Sequence, residues 1–140
     1  MMNIKEIQEE IVDEFSMFDD WMQRYEYIIE LGKNLPLIQE EYKTDDNLIK
    51  GCQSKVWLKG EQVDDKIVFT ADSDAILTKG IIAILIRVFS NQKPSDIIDA
   101  EMSFIDEIGL KEHLSPTRAN GLVSMIKNIK MYALAFNSKN

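Results

Sequence analysis

The chain holds one cysteine, Cys52, and one histidine, His113, so its capacity for nucleophilic chemistry rests on a single thiol. The thiolate, not the thiol, is the reactive species. Cys52 stands in the run Gly51-Cys52-Gln53-Ser54. Gly51 permits a backbone turn that residues with a Cβ resist, which predicts that Cys52 projects from a loop tip. Lys50 and Lys55 flank it, and Ser54 and nearby backbone amides offer hydrogen bonds. Cations and donors both favour thiolate. Since thiolates attack divalent sulfur, such a residue is a candidate sulfur carrier. The competing reading is a packing residue, because free cysteine is among the most buried residue types. A Cys–His hydrolytic pair would need the fold to carry His113 to Cys52 across a long stretch of chain. One Cys and one His cannot supply a Cys/His zinc tetrad, and a lone cysteine forms no intramolecular disulfide, which fits a reducing compartment.

Positioning that thiol falls to elements readable from periodicity. Asn3 predicts a cap for a first helix with Ile4, Ile7, Ile11 and Phe15 on its apolar face. Asp19 or Asp20 starts a second helix on Trp21, Tyr25, Ile28 and Ile29, with Gly32 as a C-terminal stop. Leu35-Pro36-Leu37 breaks helical geometry, and Glu40–Asn47 reads as a polar connection. The period then changes. Lys55–Lys59 and Lys66–Thr70, separated by the polar GEQVDD, read as an antiparallel pair, with Leu48-Ile49 as a further strand and Trp57 as a core aromatic. Asp72-Ser73-Asp74 offers caps for Ala75–Phe89, which is apolar on most sides and predicted to be the buried helix. Pro94 suits a first helical position, Gly109 closes a short piece around Phe104, Ile105 and Ile108, and Ser115-Pro116 opens a last helix. That helix runs on Leu122, Met125, Ile126, Ile129, Tyr132, Ala133 and Phe136. Gly80 and Gly121 lie inside helices, where glycine is costly; at Gly80 close backbone approach is the expected reason, with a tolerated flaw as the alternative. The fold class expected is α+β: a small antiparallel sheet of about three strands packed against helices.

The bulk properties narrow the function further. The 140 residues fit a single domain, 1–140, with no internal repeat or linker. A net charge of −8 leaves no basic footprint, so nucleic acid is not an expected partner. The longest apolar run, Ile81–Ile86, falls far short of the roughly 20 residues a membrane span needs. The N-terminal MMNIKEIQEEIVDEF has no signal-peptide core, so a cytoplasmic location is expected.

The segment GCQSKVWL at Gly51–Leu58 closely resembles the signature of the SufE family of sulfur-acceptor proteins, which includes the CsdE branch. Trp21, Arg24-Tyr25, Ile28-Ile29 and Leu31-Gly32 resemble the family's N-terminal helix, with Leu35-Pro36 following. Asp72-Ser73-Asp74-Ala75 and Lys79-Gly80 resemble the opening of its central helix. Leu110, His113-Leu114-Ser115-Pro116, Arg118 and Gly121-Leu122 resemble the run into its last helix.

The resemblance implies an α+β fold shared with IscU-type cluster scaffolds. It implies a partner, a pyridoxal-phosphate cysteine desulfurase of SufS or CsdA type, whose persulfide sulfur passes to the acceptor's cysteine, here Cys52. Sulfur then goes to a scaffold complex of SufBCD type. Pyridoxal phosphate belongs to the desulfurase; the family protein needs no cofactor or metal of its own, and no independent turnover is expected. Gly51, Gln53 and Ser54 match the motif as loop-shaping residues. Asp74 matches a family aspartate near that loop, as a helix cap or as a partner contact. Arg118 implies a buried ion pair or a partner contact, and His113 an ordering role before Ser115-Pro116. One thiol can carry sulfur but cannot hold a cluster unaided. Two readings from other classes remain: a module that activates the desulfurase by contact alone, and a thiol enzyme using His113. The oligomeric state, a homodimer included, is left open.

Overall fold

A computed structural model describes residues 2–138. Helix α1 spans Ile4–Ser16 behind a reciprocal cap: the Asn3 side chain accepts from the Glu6 amide at 2.9 Å, and the Glu6 carboxylate accepts from the Asn3 amide at 3.0 Å. Asp20 caps α2, Trp21–Gly32. The polar connection folds into single 3₁₀ turns at Glu40–Tyr42 and Asp45–Asn47. Strands β1 (Val56–Val63) and β2 (Lys66–Ser73) pair antiparallel, from Val63 opposite Lys66 to Val56 opposite Ser73. The GEQVDD segment is therefore mostly strand, and only Asp64-Asp65 forms the turn, with Asp64 left-handed at φ 58°. Then come α3 (Ile76–Phe89), α4 (Pro94–Asp99), α5 (Ser103–Glu107), α6 (Leu110–His113) and α7 (Pro116–Asn137).

The architecture is α+β as expected, with a sheet of two strands instead of three. Leu48-Ile49 does meet β1: Leu48 bridges Trp57, and the Ile49 amide donates to the Val56 carbonyl at 2.8 Å. The stretch is too short for a ladder because a 3₁₀ turn ends at Asn47 and Gly51 turns the chain again. On the opposite edge, Ile38 donates to the Ala71 carbonyl and Ala71 donates to the Pro36 carbonyl, both at 3.1 Å. These flanking segments cover the edges of a ribbon that would be marginal alone.

Alternation along the strands sends Val56, Leu58, Ile67, Phe69 and Ala71 inward, each no more than 2% exposed. Trp57 points the other way and is half-buried, with the Lys43 ammonium 5.5 Å from its ring centre. The expectation of a core tryptophan is corrected: its neighbours in β1 hold the core face, so the period of two puts Trp57 outside.

Helix α3 lies at the centre, touching β2, α1, α2 and α7, with every residue from Gly80 to Ile86 buried. The approach to α2 is backbone to backbone. A Cβ on Gly80 would meet the Ile28 carbonyl oxygen at 2.2 Å, and one on Gly32 would meet the Gly80 amide nitrogen at 3.0 Å. Gly32 is thus a packing glycine inside the last turn of α2, not a left-handed stop; Lys33 occupies the C-cap in ordinary helical geometry. Arg24 reaches from α2 to the Ile108 carbonyl at 3.0 Å and ties the helix to the Gly109 turn. Between α1 and α3, the Arg87 guanidinium donates to Glu14 at 2.8 and 2.5 Å and to Glu10, while Tyr27 donates to Glu14. The Arg87 bonds hold the Glu14 carboxyl below its usual value, against a smaller opposing effect of burial. Burial, reinforced by Glu14, pushes Tyr27 up to about 12.

Two outcomes follow from this packing. Gly80→Ala should destabilise the protein by about 2–3 kcal/mol in denaturant unfolding, although alanine is the better helix former, because backbone must move; a variant as stable as the parent would contradict the close approach. Glu14→Gln should cost about 1 kcal/mol at neutral pH. The folded carboxyl has the lower pKa, so its contribution is present above the unfolded value and lost as pH falls through the folded one. Parent and variant melting curves should therefore converge in acid.

Candidate functional site

The loop from Lys50 to Lys55 links the polar connection to β1, and its shape begins with Gly51 at φ +94°. A side chain there would be strained, and a Cβ would stand 2.5 Å from the Ser124 Oγ of α7. The far end of the loop is clamped by Asp74: its carboxylate accepts from the Lys55 amide at 3.0 Å, and its own amide donates to the Lys55 carbonyl at 3.2 Å. Neither role expected for Asp74 covers this. It does not cap α3, whose N-cap is Ala75 without a side-chain bond; it fastens the thiol loop to the end of β2. The neighbouring Asp72 accepts from Lys43 at 2.7 Å and pairs with Lys79 at 3.4 Å, drawing the polar connection onto the same end of the sheet.

Turned by Gly51 and held by Asp74, Cys52 faces inward. It is half-buried rather than projecting, and its Sγ donates to the Gly121 carbonyl of α7 at 3.6 Å. Gly121 stands directly against the thiol: a Cβ there would lie 3.4 Å from Sγ, in van der Waals contact. Burial pushes the Cys52 thiol above its ordinary pKa. The sequence-based expectation of a lowered pKa is overturned. Lys50 and Lys55 are exposed, and neither lines the hollow at the thiol.

That hollow has a volume of about 30 Å³ and is bounded by Cys52, Gln53, Ser54, Thr78, Ile81, Thr117, Arg118, Gly121 and Met125. Gln53, Thr117 and Arg118 are exposed at its mouth, whereas Ile81, Gly121, Met125 and Thr78 form its buried wall. Arg118 makes no ion pair among the described residues, so the buried pair expected for it is not found. Its amide instead donates to the Ser115 cap of α7 at 3.3 Å, and its guanidinium is left at the surface beside the thiol.

Of the residues singled out in the sequence, the fold brings together Cys52, Gln53, Ser54 and Arg118, with Gly51 and Asp74 as the two supports of the loop. His113 is placed elsewhere. Its ring stacks on Trp21 at 4.0 Å, and its Nδ1 donates to the Gly109 carbonyl at 2.9 Å. Tyr25 donates to the His113 carbonyl, so this stretch does order the approach to Ser115-Pro116. A base at the thiol is therefore not supplied by His113.

Thr78, Thr117, Ile81 and Met125 were not foreseen as wall residues. Thr78 carried a signal: it is a hydroxyl inside an apolar helix, 6% exposed, with no hydrogen-bond partner among the described residues. Among the described residues Trp21 Nε1 is the side-chain polar atom sealed from water without a partner; the Thr78 hydroxyl is not sealed, and water in the hollow can serve it.

A family model, SufE, described as an Fe-S metabolism associated domain, matches residues 9–133. An uncharacterized SufE-like protein of Rhizobium meliloti (strain 1021) is 45% identical, over 89% of this chain and 93% of its own length. One of Rhizobium etli is 42% identical, over 87% and 86%. The solution structure of a hypothetical protein from Thermus thermophilus is similar with a TM-score of 0.78, covering 94% of this chain and 96% of that one; at 14% identity it speaks for the fold alone. With the match spanning both the thiol loop and the helix that shields it, the chain belongs to the SufE family.

Proposed function

We propose that this protein is a sulfur acceptor whose working group is Cys52. Family membership places the chain in Fe–S metabolism, in sulfur transfer with a cysteine desulfurase. The observation that carries the finer reading is the setting of the lone thiol: half-buried, on a loop fixed at both ends, with a hollow at its sulfur and an unpaired arginine at the mouth.

The step proposed is thiol–persulfide exchange. The Cys52 thiolate attacks the outer sulfur of the desulfurase persulfide, a new S–S bond forms on Cys52, and the desulfurase S–S bond breaks with its cysteine leaving as thiolate. The Cys52 proton goes to solvent or to the partner. No net oxidation occurs. The loaded acceptor delivers its sulfur to a cluster scaffold of SufBCD type in the cytoplasm, and the freed desulfurase, of SufS or CsdA type, turns over again.

Burial serves this chemistry in two ways. It keeps the resting thiol protonated, so small oxidants and electrophiles find little thiolate. It also shelters a loaded sulfur from cellular thiols. Docking on the desulfurase must therefore expose Cys52, and a loop anchored at Gly51 and Asp74 can release its thiol without unfolding the sheet. Arg118 at the mouth fits contact with an approaching anionic persulfide.

Incubation with a cysteine desulfurase and cysteine should add one sulfur, about 32 Da, to the Cys52 peptide, removable by a thiol reductant. Cys52→Ser should lose nearly all stimulation of the desulfurase; full stimulation by that variant would mean activation by contact alone and would sink the acceptor role. In the free protein, the rate of Cys52 alkylation should rise with pH along a curve displaced upward from that of the same thiol in denaturant. Coincident curves would show that the thiol is not shielded.

A further inference from the structure

Taking Cys52 as the sulfur acceptor, we propose that the Thr78 hydroxyl is the binding group for the outer sulfur of the Cys52 persulfide. Helix α3 holds an anomaly of composition. Helix α3 is apolar on nearly every side, yet it presents a threonine that is 6% exposed. A buried hydroxyl in a helix ordinarily satisfies itself on the carbonyl three or four residues back. Thr78 makes no such bond, and no other group among the described residues partners it. It borders the hollow that begins at Cys52.

The dimensions and the chemistry agree. The hollow, about 30 Å³, exceeds the roughly 10–15 Å³ that holds one water on this measure, so it admits a small group next to Sγ and not a metabolite. A persulfide places one such group there. Its outer sulfur is acidic and carries negative charge, so it needs a donor once out of water. The group that Cys52 itself now meets is the Gly121 carbonyl, an acceptor, which is wrong for an anion. Ile81 and Met125 offer no side-chain N–H or O–H. Gln53, Thr117 and Arg118 are exposed and Ser54 is only half-buried, so water competes for their donors. Thr78 is the buried wall residue with a donor to give.

The test uses the full chain loaded with inorganic polysulfide, which needs no desulfurase. The Cys52 thiolate attacks a polysulfide sulfur, one S–S bond forms, and the shortened polysulfide leaves as the anion. The apparent pKa of the persulfide is then read from the pH dependence of its alkylation, followed by mass spectrometry of the Cys52 peptide. A midpoint is independent of how accessible the group is. In Thr78→Val, which keeps the side-chain shape, the midpoint should rise by about one unit, a tenfold fall in the acid dissociation constant. Thr78→Ala should show the same rise, and Thr78→Ser should restore the parent value. Equal midpoints in the parent, Thr78→Val and Thr78→Ala, or failure of Cys52 to hold a polysulfide-derived sulfur, would overturn the assignment. A shifted midpoint in a protein that takes no sulfur from a desulfurase and cysteine would instead count against the acceptor function, leaving the pocket assignment standing.

Discussion

An apolar helix with almost no polar side must be covered all round, and the fold is largely the means of covering α3. The hairpin takes one face with the inward residues of β1 and β2. Helix α2 takes another, at a distance set by Gly80 and Gly32, where no Cβ intervenes. The amphipathic α1 and α7 close the rest. Burial of this much apolar surface supplies the main driving force, and close packing makes it specific. Everything polar is pushed to the seams between covering layers. The thiol loop lies in one seam, between the end of the hairpin and the first turns of α7, so Cys52 has α3 as its floor and α7 as its wall.

The seam is held electrostatically by two nearby aspartates with different tasks. Asp72 gathers Lys43 and Lys79 and so fixes the polar connection, while Asp74 accepts from backbone and fixes the loop. Both carboxylates sit at the end of β2, which makes the sheet terminus the reference frame for the thiol. The frame is rigid where it meets the sheet and soft where it meets α7. Against the helix the loop is retained by one long sulfur–carbonyl contact, by the Gly51 approach to Ser124 and by the packing of Cys52 on the core.

Much of this was legible in the sequence, and the failures have physical causes. The caps at Asn3, Asp20 and Ser115, the proline openings at Pro94 and Pro116, the central helix and the hairpin rest on local rules, and they are where periodicity puts them. The third strand failed because two extended residues between turns make a bridge and no more. Trp57 failed because a large aromatic was read as core without following the alternation through Val56 and Leu58. The thiol's ionisation failed for a deeper reason: flanking lysines were visible, whereas the apolar floor from α3 and the wall from α7 are distant in sequence. The same distance concealed Thr78 as a neighbour of Cys52, although its hydroxyl was out of place in its helix from the start.

The size of the hollow beside Cys52 carries a consequence for dose. Sulfane sulfur extends itself readily into chains, and an open thiol has no means of stopping at one atom. A chamber of about 30 Å³ limits that growth by volume: a lengthening chain would have to emerge past Arg118 into water, where reductants trim it. Cargo would then leave in short lengths, set by the shape of the container and not by the affinity of whatever receives it.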